Sequence, residues 1–561
     1  MPQQVSREQY ALLHGPTVGD RVRLGDTSLV IRLEKDYAEY GDEVVSGWGK
    51  NFRQGMMIRG RRVGESELDT ILIGAMIVDP VLGIFKGSIG IKGNRIVAIG
   101  NAGNPDIADN IDALIGPGTN IMPAGHLIAT PGAVDSHVHF VTPRLIPAAL
   151  DGGVTTLIGG GLQHQPAMNL QIPLAAMEEF PLNVGLQARA SSHVPAAMDE
   201  YLAFGACGFK IHEDMGAYAP IIDATLTVAD EFDVSVCLHT DGLNEAVQAT
   251  DTIEAVAGRT LHAYHVEGAG GGHTPDALMM TTRDNIIGSS TNPTLPYGVG
   301  AEREHIDMMT IAHGQNVALE ENAEAIRLRI RGTSMAAETL LHDMGAIPVI
   351  NSDSQGMGRI QETIRRTWQM AHANKERAIA AGTEAPSDED NRRVLQYLAK
   401  ITINPARTHG IHHYVGSLEP GKLADIVLWD PRFFGAKPDA VIKGGQVAWS
   451  PRGDGNATMR LAEPVTYGPM WGGTGKAVDR LAVNFVSEAA MEARVKDQMK
   501  SNREFLPVKG CRHIGKKDLM FNDVSPELQI DPVSGEVYVG GTRLHCEPLE
   551  TFTLSRKYFL S

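Results

Sequence analysis

Between about Pro131 and Pro405 the chain passes through eight short apolar runs separated by stretches long enough to form a helix, and this alternation limits the fold more than any other feature. The runs are Gly132–His139, Val154–Gly159, Leu182–Leu186, Gly208–His212, Val234–His239, Thr260–His265, Ile286–Ser290 and Pro348–Ser352. Strand-length apolar segments alternating with helix-length spacers predict repeated β-α units and a parallel sheet closed into a (β/α)₈ barrel of the TIM type, an α/β fold. Several runs end in, or lead directly into, His, Lys or Asp. In such barrels the chemistry sits at the C-terminal rim of the strands.

A chain of 561 residues exceeds one ordinary core, so a second domain is expected. Short β-like runs cut by glycine, such as Arg21–Leu24 and Leu29–Leu33, fill the N-terminal part. The clearest unit is Lys86–Gly100, two alternating strands joined across Gly93-Asn94, a good hairpin turn pair. Strand-like runs return at Gly421–Asp430 and Asp439–Trp449, so the two ends of the chain are expected to pair into one composite β-domain. The predicted division is 1–131 (N-terminal half of the β-domain), 132–417 (barrel), 418–480 (C-terminal half of the β-domain) and 481–561 (a C-terminal segment contacting other subunits). Within that last segment the basic run Lys509–Lys517 reads as a solvated, subunit-facing surface.

The fourth run carries Gly208-Phe-Lys-Ile-His212. Side chains alternate along a strand, so Lys210 and His212 share one face and Phe209 and Ile211 the other. An unpaired ammonium inside a barrel is expensive, which leaves Lys210 neutral, paired or chemically modified. Carbamylation, giving a bridging carboxylate, meets that requirement. On the first run His137-x-His139 sets two imidazoles on one strand face, able to chelate one ion. Lys210, His212, His239, His265 and Asp353 stand at or beside four further strand ends. Such convergence points to a metal site, and His137, His139, a modified Lys210, His239, His265 and Asp353 together supply six protein ligands, enough for two divalent ions. Two ions side by side polarise a carbonyl and bring the pKa of a bound water towards about 7, so the reaction class is metal-assisted hydrolysis. Ligands of imidazole and carboxylate without thiolate leave zinc, nickel, manganese and iron open.

Composition narrows the partners. With 50 Lys+Arg against 67 Asp+Glu, the formal net charge of −17 argues against nucleic acid or an anionic membrane and favours a neutral or cationic small molecule. The 4 cysteines form no C-x-x-C pair, no apolar run is long enough to span a bilayer, and the N-terminus lacks a signal-peptide pattern, so a soluble cytoplasmic protein is expected.

Seven strings carry a family likeness: Gly15–Leu24, Asp135-Ser-His-Val-His139, Gly208–Asp214, His265–His273, Ser289–Thr294, Ser352–Arg359 and Thr402–Gly410. On these the chain resembles the amidohydrolase superfamily and, within it, the urease alpha (catalytic) subunit family along essentially its whole length. The resemblance implies two nickel ions bridged by N6-carboxylated Lys210, with His137, His139 and Asp353 on one and His239 and His265 on the other. It makes His212 a hydrogen-bond donor to the substrate carbonyl and groups Gly356 with the substrate pocket. It implies a mobile helical flap at Met308–Asn316 whose His313 acts as the acid, tuned by Asp214 and Arg329. For Arg329 an ion pair on a helix, beside Arg327 and Arg331, is the competing role. A urease-type subunit would hydrolyse urea to ammonia and carbamate, join separate beta and gamma subunits in a larger oligomer, and receive nickel from accessory proteins.

The chain departs from the family pattern at four places. Ala312 stands where the flap has cysteine, with Gly314-Gln315-Asn316 after the histidine. The loop Gly159–Ala167 is shorter by about ten residues on a rough count, a length that surface loops absorb readily. Met215 replaces tryptophan and Gly356 replaces alanine. Because small losses of packing widen a small pocket, a different amide, substituted urea or guanidino substrate is the alternative. An inactive structural paralogue is the second alternative, and the complete ligand set counts against it.

Overall fold

A computed structural model describes residues 4–44, 57–59, 67–160, 167–212, 216–240, 248–269, 276–452 and 466–558. All eight predicted strands are present: β1 (Ala133–Val138), β2 (Val154–Gly160), β3 (Asn183–Arg189), β4 (Gly208–Ile211), β5 (Ser235–Leu238), β6 (Leu261–Ala263), β7 (Ile286–Thr291) and β8 (Val349–Asn351). They lie in sequence order, each parallel to the next. The seam between first and last is drawn together at the C-terminal rim by a parallel bridge between Val138 and Ser354. There the His139 N–H donates to the Ser354 carbonyl (3.1 Å) and the Ser354 N–H to the His137 carbonyl (3.3 Å). Every residue of β1 and β2 is buried, as expected of strands covered on both faces.

Helix α1 (Ala219–Phe232) shows how the outer layer forms. Proline at its second residue costs no intrahelical bond, and Ile222, Thr225, Leu226 and Ala229 recur at helical spacing to make its buried face. It ends at Asp233, in the left-handed region at φ 50°. The Asp233 carboxylate then accepts the N–H groups of Gly510, Cys511 and Arg512 at 2.6, 2.9 and 3.1 Å.

That anchor explains a departure from expectation in the basic run Lys509–Lys517. Arg512 and Lys516 turn inward, Arg512 onto Asp230 (2.7 Å) and the Thr260 carbonyl, and Lys516 onto the Thr281 and Val524 carbonyls. Local composition reads only charge, whereas these side chains satisfy carbonyls left at strand and helix ends. The C-terminal segment also extends the barrel sheet. β4 meets β3 only from Gln187 onward, and the first half of β3 pairs instead with β9 (Val483–Val486), which pairs in turn with β10 (Glu504–Pro507).

The β-domain is one mixed sheet assembled from both ends of the chain. The predicted hairpin is there, Gly83–Lys92 antiparallel to Arg95–Gly100 with Lys92 opposite Arg95. The strand Ile426–Trp429 pairs antiparallel with Ile128–Pro131, which joins the two halves of the chain. Only Gly132 separates Ile128–Pro131 from β1. Beneath the barrel, Asp425 and Lys443 form a buried pair at 2.5 Å. The same carboxylate accepts from the Asn183 amide (2.7 Å) and the Gly444 N–H (3.2 Å), tying β3 to the β-domain.

Candidate metal centre

At the rim, β1 delivers His137 and His139, and Asp353 follows β8 across the seam. His139 Nε2 lies 2.9 Å and His137 Nε2 3.3 Å from Asp353 Oδ1, and the three ligand atoms all fall within 4.8 Å of one another. Beside them, His239 Nδ1 at the end of β5 and His265 Nε2 after β6 face each other at 2.9 Å. The His137 and His265 ring centroids are 5.6 Å apart, so the two groups adjoin. Between strands, Lys210 reaches in from β4, its Nζ 2.9 Å from His137 Nε2 and 4.8 Å from the Tyr264 ring centroid. The predicted alternation along β4 is therefore realised, and Lys210 is buried. His212 is also buried, its ring 4.1 Å from that of His239.

The electrostatics suit cations. Burial, with Lys210 and neighbouring imidazoles adding to it, pushes His137 well below the usual histidine range, and burial followed by Lys210 lowers His139. Burial works against an ionised Asp353, but the His139 hydrogen bond and the surrounding imidazoles and lysine hold it down to about 2. Neutral imidazoles with an ionised carboxylate are the protonation states that ligate a divalent ion. A buried ring of nitrogen lone pairs and carboxylate oxygens in contact with each other is a fit for such ions, and His137 Nδ1 has no hydrogen-bond partner among the described residues. Two of the candidate ligands, His265 (φ 32°) and Asp353 (φ 55°), hold left-handed backbone conformations that are strained for these residues.

Three contributors were not singled out from the sequence. Asp135 accepts the N–H groups of His137 and Ser352, both at 3.2 Å, and so links the two ligand-bearing ends of the seam. Burial, opposed by hydrogen bonds from Ser352 and the His137 N–H, raises its pKa to about 6. Tyr264 stacks on His137 with ring centroids 3.7 Å apart and donates to the Ser136 carbonyl at 2.6 Å. Gln355 accepts the Val141 and Thr142 N–H groups at 2.6 and 2.9 Å, pinning the turn after His139. Asp135 does lie in the Asp-x-His-x-His string, but Tyr264 and Gln355 carry no local signal.

Two of the predicted catalytic groups belong to the excursion between β7 and β8. His313 is the half-buried residue that closes α2 (Ala301–Ala312), in the excursion between β7 and β8, and Arg329 is the buried last residue of α3 (Glu320–Arg329). Asp214 and Met215 lie outside the described residues, as does the loop 161–166. Gly356 abuts two of the candidate ligands: a Cβ there would come within 2.5 Å of Asp353 Oδ1 and 2.9 Å of His139 Nε2.

A barrel with this rim of imidazoles, lysine and aspartate is that of a metal-dependent amidohydrolase, and residues 128–475 match the amidohydrolase family model. Residues 3–122 match the model of the urease alpha-subunit N-terminal domain. The urease subunit alpha of Haloquadratum walsbyi is 47% identical over 570 aligned positions, and that of Natronomonas pharaonis 45%, each covering 100% of both chains. The chain belongs to the urease alpha-subunit family. Among solved structures, a dihydropyrimidinase from Brevibacillus agri is 16% identical, covering 68% of this chain and 94% of its own with a TM-score of 0.48. No helix among the described residues is long and apolar enough to cross a membrane.

Proposed function

We propose that the chain is the catalytic subunit of a urease-type hydrolase that converts urea and water to ammonia and carbamate. The observation that carries this is the convergence of His137, His139, Asp353, His239, His265 and Lys210 on one buried rim in a chain of this family. His137, His139 and Asp353 would hold one nickel ion, and His239 and His265 the other. Lys210 would bridge them as a carbamate, its Nζ bonding the carbon of CO₂ and releasing a proton. Bound there, the pair of ions supplies Lewis-acid polarisation and lowers the pKa of water. The protein's own groups do the rest. His212, beside His239, donates a hydrogen bond to the urea oxygen. Asp135 and Tyr264 fix the orientation of His137. As the water oxygen adds to the urea carbon and a C–N bond breaks, His313 on the flap gives a proton to the leaving nitrogen and takes up the one the water releases, with Asp214 and Arg329 as its partners.

Family membership supports a larger assembly with beta and gamma subunits, loading by nickel-delivery proteins and a cytoplasmic site of action. A second substrate class, a substituted urea, amide or guanidino compound, is favoured by Ala312 and Gly314 in the flap. The test is ammonia release from urea by nickel-reconstituted protein with bicarbonate, beside Lys210→Ala and a panel of substituted ureas and guanidines. Turnover of urea that disappears in Lys210→Ala supports the proposal. Bound metal with no urea turnover and activity on a larger relative overturns the substrate assignment.

A further inference from the structure

Beneath the rim the barrel interior holds a second group of ligand-type atoms. Cys237 Sγ on β5, His262 Nδ1 on β6 and His409 Nε2 lie within 4.8 Å of one another, and all three residues are buried. The Cys237–His262 separation is 3.6 Å and the His262–His409 separation 3.2 Å. Tetrahedral zinc with Zn–N bonds of about 2.0–2.1 Å and a Zn–S bond of about 2.3 Å has S···N and N···N edges of about 3.6 and 3.3 Å. The spacing therefore matches two edges of one coordination tetrahedron.

The surroundings match as well. His409 turns its other nitrogen, Nδ1, to Ser235 Oγ at 3.0 Å, the outer hydrogen bond that orients a ligating imidazole. The Gln187 amide donates to Cys237 Sγ at 2.9 Å, a second outer hydrogen bond to this group. Tyr264 packs its ring against His262 at 4.8 Å on one side and against His137 at 3.7 Å on the other, dividing this group from the rim.

We propose that Cys237, His262 and His409 form a second metal site, which holds one zinc ion by three protein ligands and is separate from the rim centre and unlike it in having a sulfur ligand. On binding, the Cys237 S–H bond is replaced by S–Zn and the thiol proton passes to solvent. The ion would fasten β5 and β6 to the segment that carries His409, across the floor of the catalytic layer.

The experiment uses the full chain produced in cobalt-supplemented medium, because a thiolate bound to cobalt(II) gives a near-ultraviolet charge-transfer band that imidazole and carboxylate ligands do not. The wild type should show this band, and Lys210→Ala, which removes a rim side chain and none of the three proposed ligands, should keep it. Cys237→Ala should lose it together with about one equivalent of metal per chain, while circular dichroism reports an intact fold. Cys237→Ser, which keeps the volume and removes the soft ligand, should lose the band too. No band in the wild-type protein, or a band that survives in Cys237→Ala, overturns the proposal.

Discussion

Replacing Asp425 by alanine leaves the Lys443 ammonium buried under the barrel without its counter-charge. Lys443 has 0% and Asp425 4% of its side chain exposed, and burial lowers the lysine's pKa even with Asp425 opposing it. Removing one partner of a buried pair typically costs about 3–5 kcal/mol. An independent bound agrees: the orphaned lysine can shed its proton, which at pH 7 costs about 4.6 kcal/mol from an ordinary lysine pKa of about 10.4. This gives the penalty a pH signature. The unfolded chain holds the lysine proton up to about pH 10.4 while the folded variant does not, so raising the pH stabilises the variant by about 1.4 kcal/mol per unit. At pH 9 the charge contribution should have fallen to about 1.9 kcal/mol, leaving a pH-independent remainder from the Asn183 and Gly444 donors that lose their acceptor. The assay is guanidinium chloride unfolding at pH 7, 8 and 9, chosen over urea because urea is the proposed substrate. The double variant Asp425→Ala/Lys443→Met should recover more than half of the loss at pH 7. A penalty that does not change with pH, or a double variant as unstable as the single one, would refute the reasoning.

Other expectations are simpler to check. Lys210→Ala should bind less than one metal equivalent at the rim by elemental analysis and lose at least about 10²-fold in urea turnover, since both proposed ions share that ligand. Burial lowers Lys400 to about 7, and the unfolded chain binds that proton up to about 10.4, so this group makes stability rise with pH between those values. Lys400→Met should flatten that rise by about 1.4 kcal/mol per pH unit, measured by thermal unfolding across pH 7–10. Gly435→Ala should cost about 2–4 kcal/mol, because Gly435 sits at φ +75° and its Cβ would fall 2.4 Å from Trp368 Cδ1. Leu186→Ala, in the buried interior strand β3, should cost about 2–5 kcal/mol by the same unfolding assay.

The barrel was legible because strand period and helix-length spacing are local properties, and each of the eight runs announces itself within a few residues. The clustering of histidines, lysine and aspartate at the rim is legible for the same reason, since the end of a run fixes where its last side chain lies. What sequence could not show is pairing across distance. That β9 takes the first half of β3 depends on where β4 begins, a register set by tertiary packing rather than by the composition of either segment. The Cys237–His262–His409 group likewise draws on three segments whose local patterns are ordinary. Arg512 and Lys516 depart from the expected solvated surface because charge alone does not reveal which carbonyls will be left to satisfy.

The run from Ile128 to Val138 belongs to both sheets, with a single glycine between them. Gly132 has no room for a side chain: a Cβ there would lie 2.2 Å from Thr155 Oγ1. The segment bearing His137 is thus a continuation of the β-domain, without a linker that could let one part turn against the other. Grafting this barrel onto a foreign partner domain would therefore change the alignment of His137 and His139. The β-domain and the metal rim must be inherited, or engineered, as a single piece.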